Sequence, residues 1–346
     1  MSKFILLYDC PFKNCDKLWL YDGLSKYGKV KVVDIIPKTT YLKLTKQFRT
    51  IKLGRVLLRI VVFFQSIRAI IISKKDDIII VWNHFGAVLL NKILNCLKIK
   101  RKVVSFCWFD LPKKKNYKKI KKCLINDNFI PIINDNNLKE QFIKLFDLKK
   151  WNGFMLPDVY DDSEKFIEPN YNKNKKYCFA GGFNNRDWKT LIEVAQNNKK
   201  IDFIIVADRD DVKSLNIPKN VTLYTNIDKK EYYSLMKKSY ITICPLKENR
   251  VSGLINILKS LQYGIPCITT NFDVTSSYYH KEYRNIVLYN KNDCVDLKNK
   301  ITFFWNLKSD DYLKISKDMQ NYVKTEFNPD NNIKKLVKEL KNRKWL

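Results

Sequence analysis

Short runs of β-branched and aromatic residues recur along the whole chain, and most are followed by a longer stretch whose apolar residues fall at helical spacing. Continuous apolar runs of this length suit strands buried on both faces, and such strands need helices above and below them. The alternation therefore predicts an α/β fold built of parallel sheets with crossover helices. In the first half the expected strands are "KFILLY" at 3–8, "KVKVVDII" at 29–36, "DIIIVW" at 77–82, "KVVSFCW" at 102–108 and "FIPII" at 129–133. The second half offers "KYCFAGG" at 176–182, "IDFIIVA" at 201–207, "VTLYTN" at 221–226, "YITICPL" at 240–246 and "PCITT" at 266–270. Between the two sets, residues 161–176 ("DDSEKFIEPNYNKNKK") are polar, contain proline and show no period, the composition of a linker. The expected division is a first domain over 1–160, a linker over 161–175, a second domain over 176–325, and a C-terminal helix over 326–346 that packs back on the first domain.

With 346 residues, 45% of them apolar, the chain can fill two cores. Lysine and arginine exceed aspartate and glutamate by 65 − 35 = 30, which favours anionic partners. Most of that excess is lysine in a chain crowded with asparagine and isoleucine, so compositional bias accounts for the larger part. An arginine inside a glycine-containing loop is more informative. The nine cysteines are scattered without any C-x-x-C pair, which reads as buried thiols in a reducing compartment, and two histidines exclude a histidine-rich metal site. The start, "MSKFILLYDCPFK", is too soon interrupted by Asp9 for a signal peptide, so a cytoplasmic location is expected.

Two loops stand out. In "FAGGFNNRDW", 179–188, Gly181 and Gly182 follow a strand, and Trp188, Leu191, Ile192 and Ala195 recur at helical spacing, placing Arg186 at or just before the first turn. Glycines that admit a ligand close to the backbone, a helix N-terminus and a guanidinium together suit a diphosphate. The alternative is a plain strand-to-helix turn with Arg186 paired to Asp187. "PLKENRVSGLINILKSLQYGIP" repeats the arrangement: strand, Arg250, Ser252 as a helix cap, Gly253, then Leu254, Ile255, Leu258 and Leu261 on one face. Gly264 and Pro266 end that helix. Two such loops in one domain favour a single shared anion site.

The order of these segments resembles the nucleotide-sugar-binding domain of GT-B glycosyltransferases, especially the retaining family 4 type. "FAGGFNNRDWKTLIEVA", "IDFIIVA", "VTLYTNIDKKEYYSLMKKSYITICPL" and "VSGLINILKSLQYGIPCITT" follow that family's order, and "GFMLPDVYDDSEKF" resembles its "P-N-G-V-D…F" signature. The resemblance implies two Rossmann-like doubly wound domains facing across a cleft, a UDP- or GDP-type sugar donor, no cofactor, no metal, and retention at the anomeric carbon. Donor contacts are then expected from Gly181, Gly182 and Arg186 in the first loop, and from Arg250, Val251, Ser252, Gly253 and Leu254 in the second. The family carries E-x-x-x-x-x-x-x-E here, but this chain has Val251 and Lys259 at those positions. A lysine accepts no hydrogen bond from a ribose hydroxyl, although it suits phosphate or another donor oxygen, so Lys259 is expected among the donor contacts as well. On the acceptor side the family's strand-end histidine is missing, which leaves Asp110 of "SFCWFDLP" as the polar candidate, with Arg186 the other residue expected in catalysis. His84, in "VWNHFG", follows another strand and is either a second acceptor-side residue or a packed one.

The implied partner is a saccharide or a polyprenyl-diphosphate-linked acceptor of bacterial-type surface polysaccharide synthesis. Residues 49–72, "RTIKLGRVLLRIVVFFQSIRAIII", mix an apolar face with arginines and so read as an interfacial or a buried helix rather than a spanning one. With the basic "PKKKNYKKIKK" at 112–122 they suggest peripheral contact with an anionic membrane at its inner face. Two other readings stay open. A nucleotide-sugar epimerase of GT-B fold would share the donor loops, and a basic nucleic-acid-binding protein would share the charge. No base-stacking or groove-reading module is visible, so no nucleic acid is expected as partner.

Overall fold

The computed structural model describes residues 3–8, 18–33, 52–108, 111–171 and 176–346. The chain forms two compact units, Met1–Pro157 with Pro329–Leu346, and Asp158–Asn328.

In the first unit the elements run β1 (Lys3–Leu7), α1 (Leu18–Ser25), β2 (Lys29–Val32), α2 (Lys52–Ile72), β3 (Ile78–Val81), α3 (His84–Cys96), β4 (Lys102–Ser105), α4 (Tyr117–Leu124), β5 (Phe129–Ile133), α5 (Asn136–Phe146) and β6 (Phe154–Met155). The strands lie in the order β2-β1-β3-β4-β5-β6, all parallel. Ile5, Leu7, Ile79, Val81 and Val103 point to one side and pack with Leu90, Leu94, Ile120 and Phe142 of the covering helices. The period-2 placement of side chains leaves Phe4, Leu6, Ile78 and Ile80 on the other side, equally buried. These strands therefore read as unbroken apolar runs.

The second unit contains β7 (Cys178–Gly181), α6 (Trp188–Gln196), β8 (Phe203–Val206), β9 (Val221–Tyr224), α7 (Lys229–Lys238), β10 (Ile241–Cys244), α8 (Leu254–Gln262), β11 (Cys267–Thr270), β12 (Leu288–Tyr289), α9 (Cys294–Trp305) and α10 (Ser309–Glu326). Its parallel sheet has the order β12-β11-β10-β7-β8-β9, which is the 3-2-1-4-5-6 order of the dinucleotide-binding fold viewed from its other edge. The order reverses between β7 and β10, and the loops leaving those two strands are the two glycine-arginine loops. Asp187 and Asp228, in the positions where a short oxygen-bearing side chain serves best, cap α6 and α7 by accepting from Thr190 and Glu231 amides. The final helix, α11 (Pro329–Asn342), belongs to the first unit and meets α1 closely: a Cβ on Gly23 would lie 2.4 Å from Cγ1 of Ile333.

Strands form at every site the apolar runs mark, each trimmed by a residue or more except β5, which spans 129–133 as expected. The two-residue strands β6 and β12 carry too few residues to show a pattern. Residues 161–171, where composition reads a linker, pack onto the second unit: Ile167 donates its amide to the Gln262 carbonyl, Gln320 donates to Ile167, and the Tyr171 ring lies edge-on to Tyr240 and Tyr312.

Candidate functional site

At the point of strand-order reversal the two loops are stitched together by backbone and asparagine. Residues Arg186 and Leu246 form an isolated antiparallel bridge, Asp187 donates its amide to the Pro245 carbonyl at 2.9 Å, and Lys247 donates to Asn185 at 3.2 Å. Asn185, held at a left-handed φ of 56°, donates from Nδ2 to the Glu248 carbonyl and accepts the Glu248 amide at Oδ1. The loops after β7 and β10 thus form one structure.

Arg186 sits inside it with 5% of its surface exposed. Its Nε donates to the Gly181 carbonyl at 3.1 Å, and Nη1 donates to the Asn184 carbonyl at 2.7 Å and to Ser252 Oγ at 3.3 Å. Among the described residues no carboxylate lies within ion-pair distance of it. Asp187, its sequence neighbour, instead turns into α6 and accepts from the amide and hydroxyl of Thr190. The guanidinium lies between two glycines. A Cβ on Gly182, whose φ is 138°, would come within 2.4 Å of Nη2, and one on Gly253, at φ 77°, would lie 3.2 Å from the same atom. Both positions combine a backbone conformation that favours glycine with no room for a side chain.

Around this cation the backbone offers donors. The amides of residues 251–255 and 183–186 donate to no acceptor among the described residues. Gly253 is the N-cap of α8, so the first amides of that helix face outward uncapped. Ser252 was expected to cap; its hydroxyl instead donates to the Asn184 carbonyl and accepts from Arg186, because the left-handed turn at Gly253 carries it off the helix axis toward the first loop. On the far side Asn256 donates to the Gly181 carbonyl and to Tyr232 Oη, and a Cβ on Gly181 would strike that ring. Burial pushes the Tyr232 hydroxyl above its ordinary value, so it stays a neutral donor despite the opposing pull of Arg186.

The remaining expected residues fall elsewhere. Arg250 is on the surface, its Nε 3.6 Å from Glu248 Oε2 and its side chain 41% exposed, so one guanidinium rather than two occupies the centre. Val251 packs against the core of the second unit and Leu254 is buried in it. Ile257, not Ile255, completes the buried face of α8; Ile255 is 61% exposed. Lys259 is 3% exposed and points at neither glycine loop. Its Nζ contacts Asp161 at 2.7 Å and Glu164 at 3.3 Å, beneath the rings of Tyr233 and Tyr263. Burial opposes ionisation of both carboxyls, but hydrogen bonds and the Lys259 charge outweigh it and hold them below the usual carboxylate range. Sequence reasoning missed Asn256 and Tyr232. A signal existed for the first, since Ser252, Asn256, Lys259 and Tyr263 form one polar stripe along α8 at spacings of four, three and four.

In the first unit the comparable strand-order reversal lies between β1 and β3. His84 begins α3 there, capped by Asn83, whose Oδ1 accepts the Gly86 amide at 2.6 Å. The His84 Nδ1 is 3.0 Å from the Cys107 carbonyl, which can only accept, so the ring donates from Nδ1. Asp110 lies outside the described residues. Among the described residues no group of three or more histidine, cysteine or acidic side chains is placed to hold a metal ion.

Two six-stranded parallel sheets with helices on both faces define the GT-B fold, and solved structures bear this out over nearly the whole chain. A glycosyltransferase from Rickettsia africae matches 99% of this chain and 97% of its own at 14% identity, with a TM-score of 0.69. The E. coli trehalose-6-phosphate structure bound with UDP-2-fluoro glucose matches 98% and 99% at 10% identity, TM-score 0.70. A UDP-forming α,α-trehalose-phosphate synthase from Burkholderia vietnamiensis matches 99% and 97%, also at 10% identity, TM-score 0.68. No protein-family model matches the chain, and no curated protein sequence does. The likeness is one of fold.

Proposed function

We propose that the protein is a glycosyltransferase that moves a sugar from a nucleoside diphosphate donor to the hydroxyl of a glycan or lipid-linked saccharide. One observation carries the reading: a buried guanidinium with no carboxylate within ion-pair distance among the described residues, set between two glycines on loops whose amides at 183–186 and 251–255 meet no acceptor among those residues, at the strand-order reversal of a dinucleotide-type sheet. An uncompensated buried cation is costly, and a dianionic diphosphate bound against Nη2 and the amides of residues 253–255 would remove that cost. The UDP-sugar held by a protein of the same fold supports this choice of ligand.

In the reaction the bond from the anomeric carbon to the diphosphate oxygen breaks as the bond to the acceptor oxygen forms. Charge accumulates on the leaving diphosphate, where Arg186 and the loop amides stabilise it more than they stabilise the ground state. The acceptor proton passes to the leaving phosphate oxygen, which gives retention without a metal. Asp110 and His84 are the proposed acceptor-side residues.

A thermal-shift screen of UDP-, GDP-, ADP- and CMP-sugars against the full chain tests the donor class, since a ligand bound only by the native state raises its melting temperature. Stabilisation by one nucleoside diphosphate family, absent in Arg186→Ala, is expected. No response to any of them, or a response unchanged in the variant, contradicts the reading. Conversion of the sugar to an epimer with no acceptor present would replace transfer by epimerisation.

A further inference from the structure

Helix α2 presents two unlike faces. Val62, Gln65, Ser66, Ala69 and Ile70 are buried against the first unit. Val56, Ile60, Phe63, Phe64 and Ile71 are exposed, at 49%, 46%, 42%, 59% and 76%. At 3.6 residues per turn these five fall within an arc of about 100°, with half-buried Ile67 on the same arc between Phe64 and Ile71, so together they make an apolar stripe about 25 Å long. Elsewhere among the described residues exposed large apolar side chains occur singly or in small groups, the ordinary condition of a protein surface. Here they are contiguous. Phe63 and Phe64 meet edge to face, and Phe85 of the neighbouring α3, itself exposed, extends the stripe beneath the Arg59 guanidinium.

The polar surroundings identify the partner. The helix carries Lys52, Arg55, Arg59 and Arg68 and no acid. Exposed Arg59 and Arg68 flank the stripe on opposite sides, and Lys74 and Lys75 follow its end, also exposed. Helices α2, α3 and α4 pack side by side in that order, and α4 adds exposed Lys118, Lys119, Lys121 and Lys122. No helix among the described residues is long and apolar enough to cross a membrane. An apolar stripe edged with cations matches an interface whose inside is hydrocarbon and whose surface is anionic.

We propose that this face of α2 docks on an anionic lipid bilayer, with Phe63, Phe64 and Ile71 entering the acyl boundary and Arg59 and Lys75 reaching lipid phosphates. The proposal stands independently of the glycosyltransferase reading, because vesicle binding is measured without turnover.

The test is co-sedimentation of the full chain with vesicles of phosphatidylcholine alone, or of equal parts phosphatidylcholine and phosphatidylglycerol. Binding to the anionic vesicles is expected, falling with added salt. The doubly substituted Phe64→Ser, Ile71→Ser chain loses about tenfold or more in binding, since two apolar side chains no longer leave water on docking. Arg59→Glu with Lys75→Glu costs about tenfold or more through lost attraction to lipid. All four positions are exposed, so melting temperatures should stay near that of the parent chain, and this is checked alongside. Absence of binding, equal binding to neutral vesicles at high salt in both variants, or binding that only the α4 lysines control each overturns the assignment. So does a concentration-dependent dimer that the serine variant abolishes while vesicles capture nothing, which would make the face an interface between copies.

Discussion

Two buried cations on the second unit invite comparison. Lys259, midway along α8, is neutralised by Asp161 and Glu164. Arg186, beside the N-terminus of the same helix, has backbone carbonyls and a serine hydroxyl for company and no carboxylate among the described residues. Both are nearly solvent-free. A charge that the fold itself satisfies belongs to the fold; a charge that it desolvates and leaves unbalanced is prepared for something that arrives from outside. On the proposed reading the pair separates a residue that holds structure from one that holds ligand, and substitutions at the two should fail in different ways.

The widest separation is expected in turnover. Arg186→Ala should lower it about 10²–10³-fold, the range for removing one donor to developing negative charge, while the melting temperature holds or rises. Lys259→Met should instead destabilise by about 1–3 kcal/mol, because two carboxylates lose their cation but stay wet enough to rehydrate, and the surviving folded protein should turn over within a few-fold of the parent chain. Equal loss of stability in both variants would erase the distinction. Gly182→Ala comes next: its methyl must displace the guanidinium, so donor affinity should fall about tenfold with little change in stability beyond the strained φ. The smallest effect is in pH. Asp161 and Glu164 have folded values below their unfolded ones near about 4, so the stability they contribute is present above that pH and is lost as pH falls toward the lower folded values. Acid titration of melting temperature should therefore be flatter in Lys259→Met than in the parent and unaltered in Arg186→Ala.

What could be read in advance follows from how local each signal is. Strand, glycine, arginine and helix are adjacent in "FAGGFNNRDW", and the second loop has the same compactness, so the loops and the strands that lead to them are legible in the residues themselves. Their convergence also follows, once the alternation implies a doubly wound sheet. Lys259 was opaque because its partners lie 98 and 95 residues earlier in a polar stretch whose composition suggests a linker. Arg250 looked equivalent to Arg186, but Glu248 two residues before it holds it at the surface, and nothing in the spacing distinguishes the two arginines. Ser252 misleads for a related reason, since its value as a cap depends on the φ of the glycine after it. The acceptor side is the least legible, because its best candidate, Asp110, rests on pattern alone.

The two loops that meet at Arg186 are proposed to hold a diphosphate. Calorimetric titration of the full chain with inorganic pyrophosphate addresses this without the sugar, the base or the acceptor. Saturable one-site binding that weakens at least about tenfold in Arg186→Ala and persists in Lys259→Met is the predicted result. Binding that is absent from the parent chain, or that survives in Arg186→Ala and disappears in Lys259→Met, would contradict it.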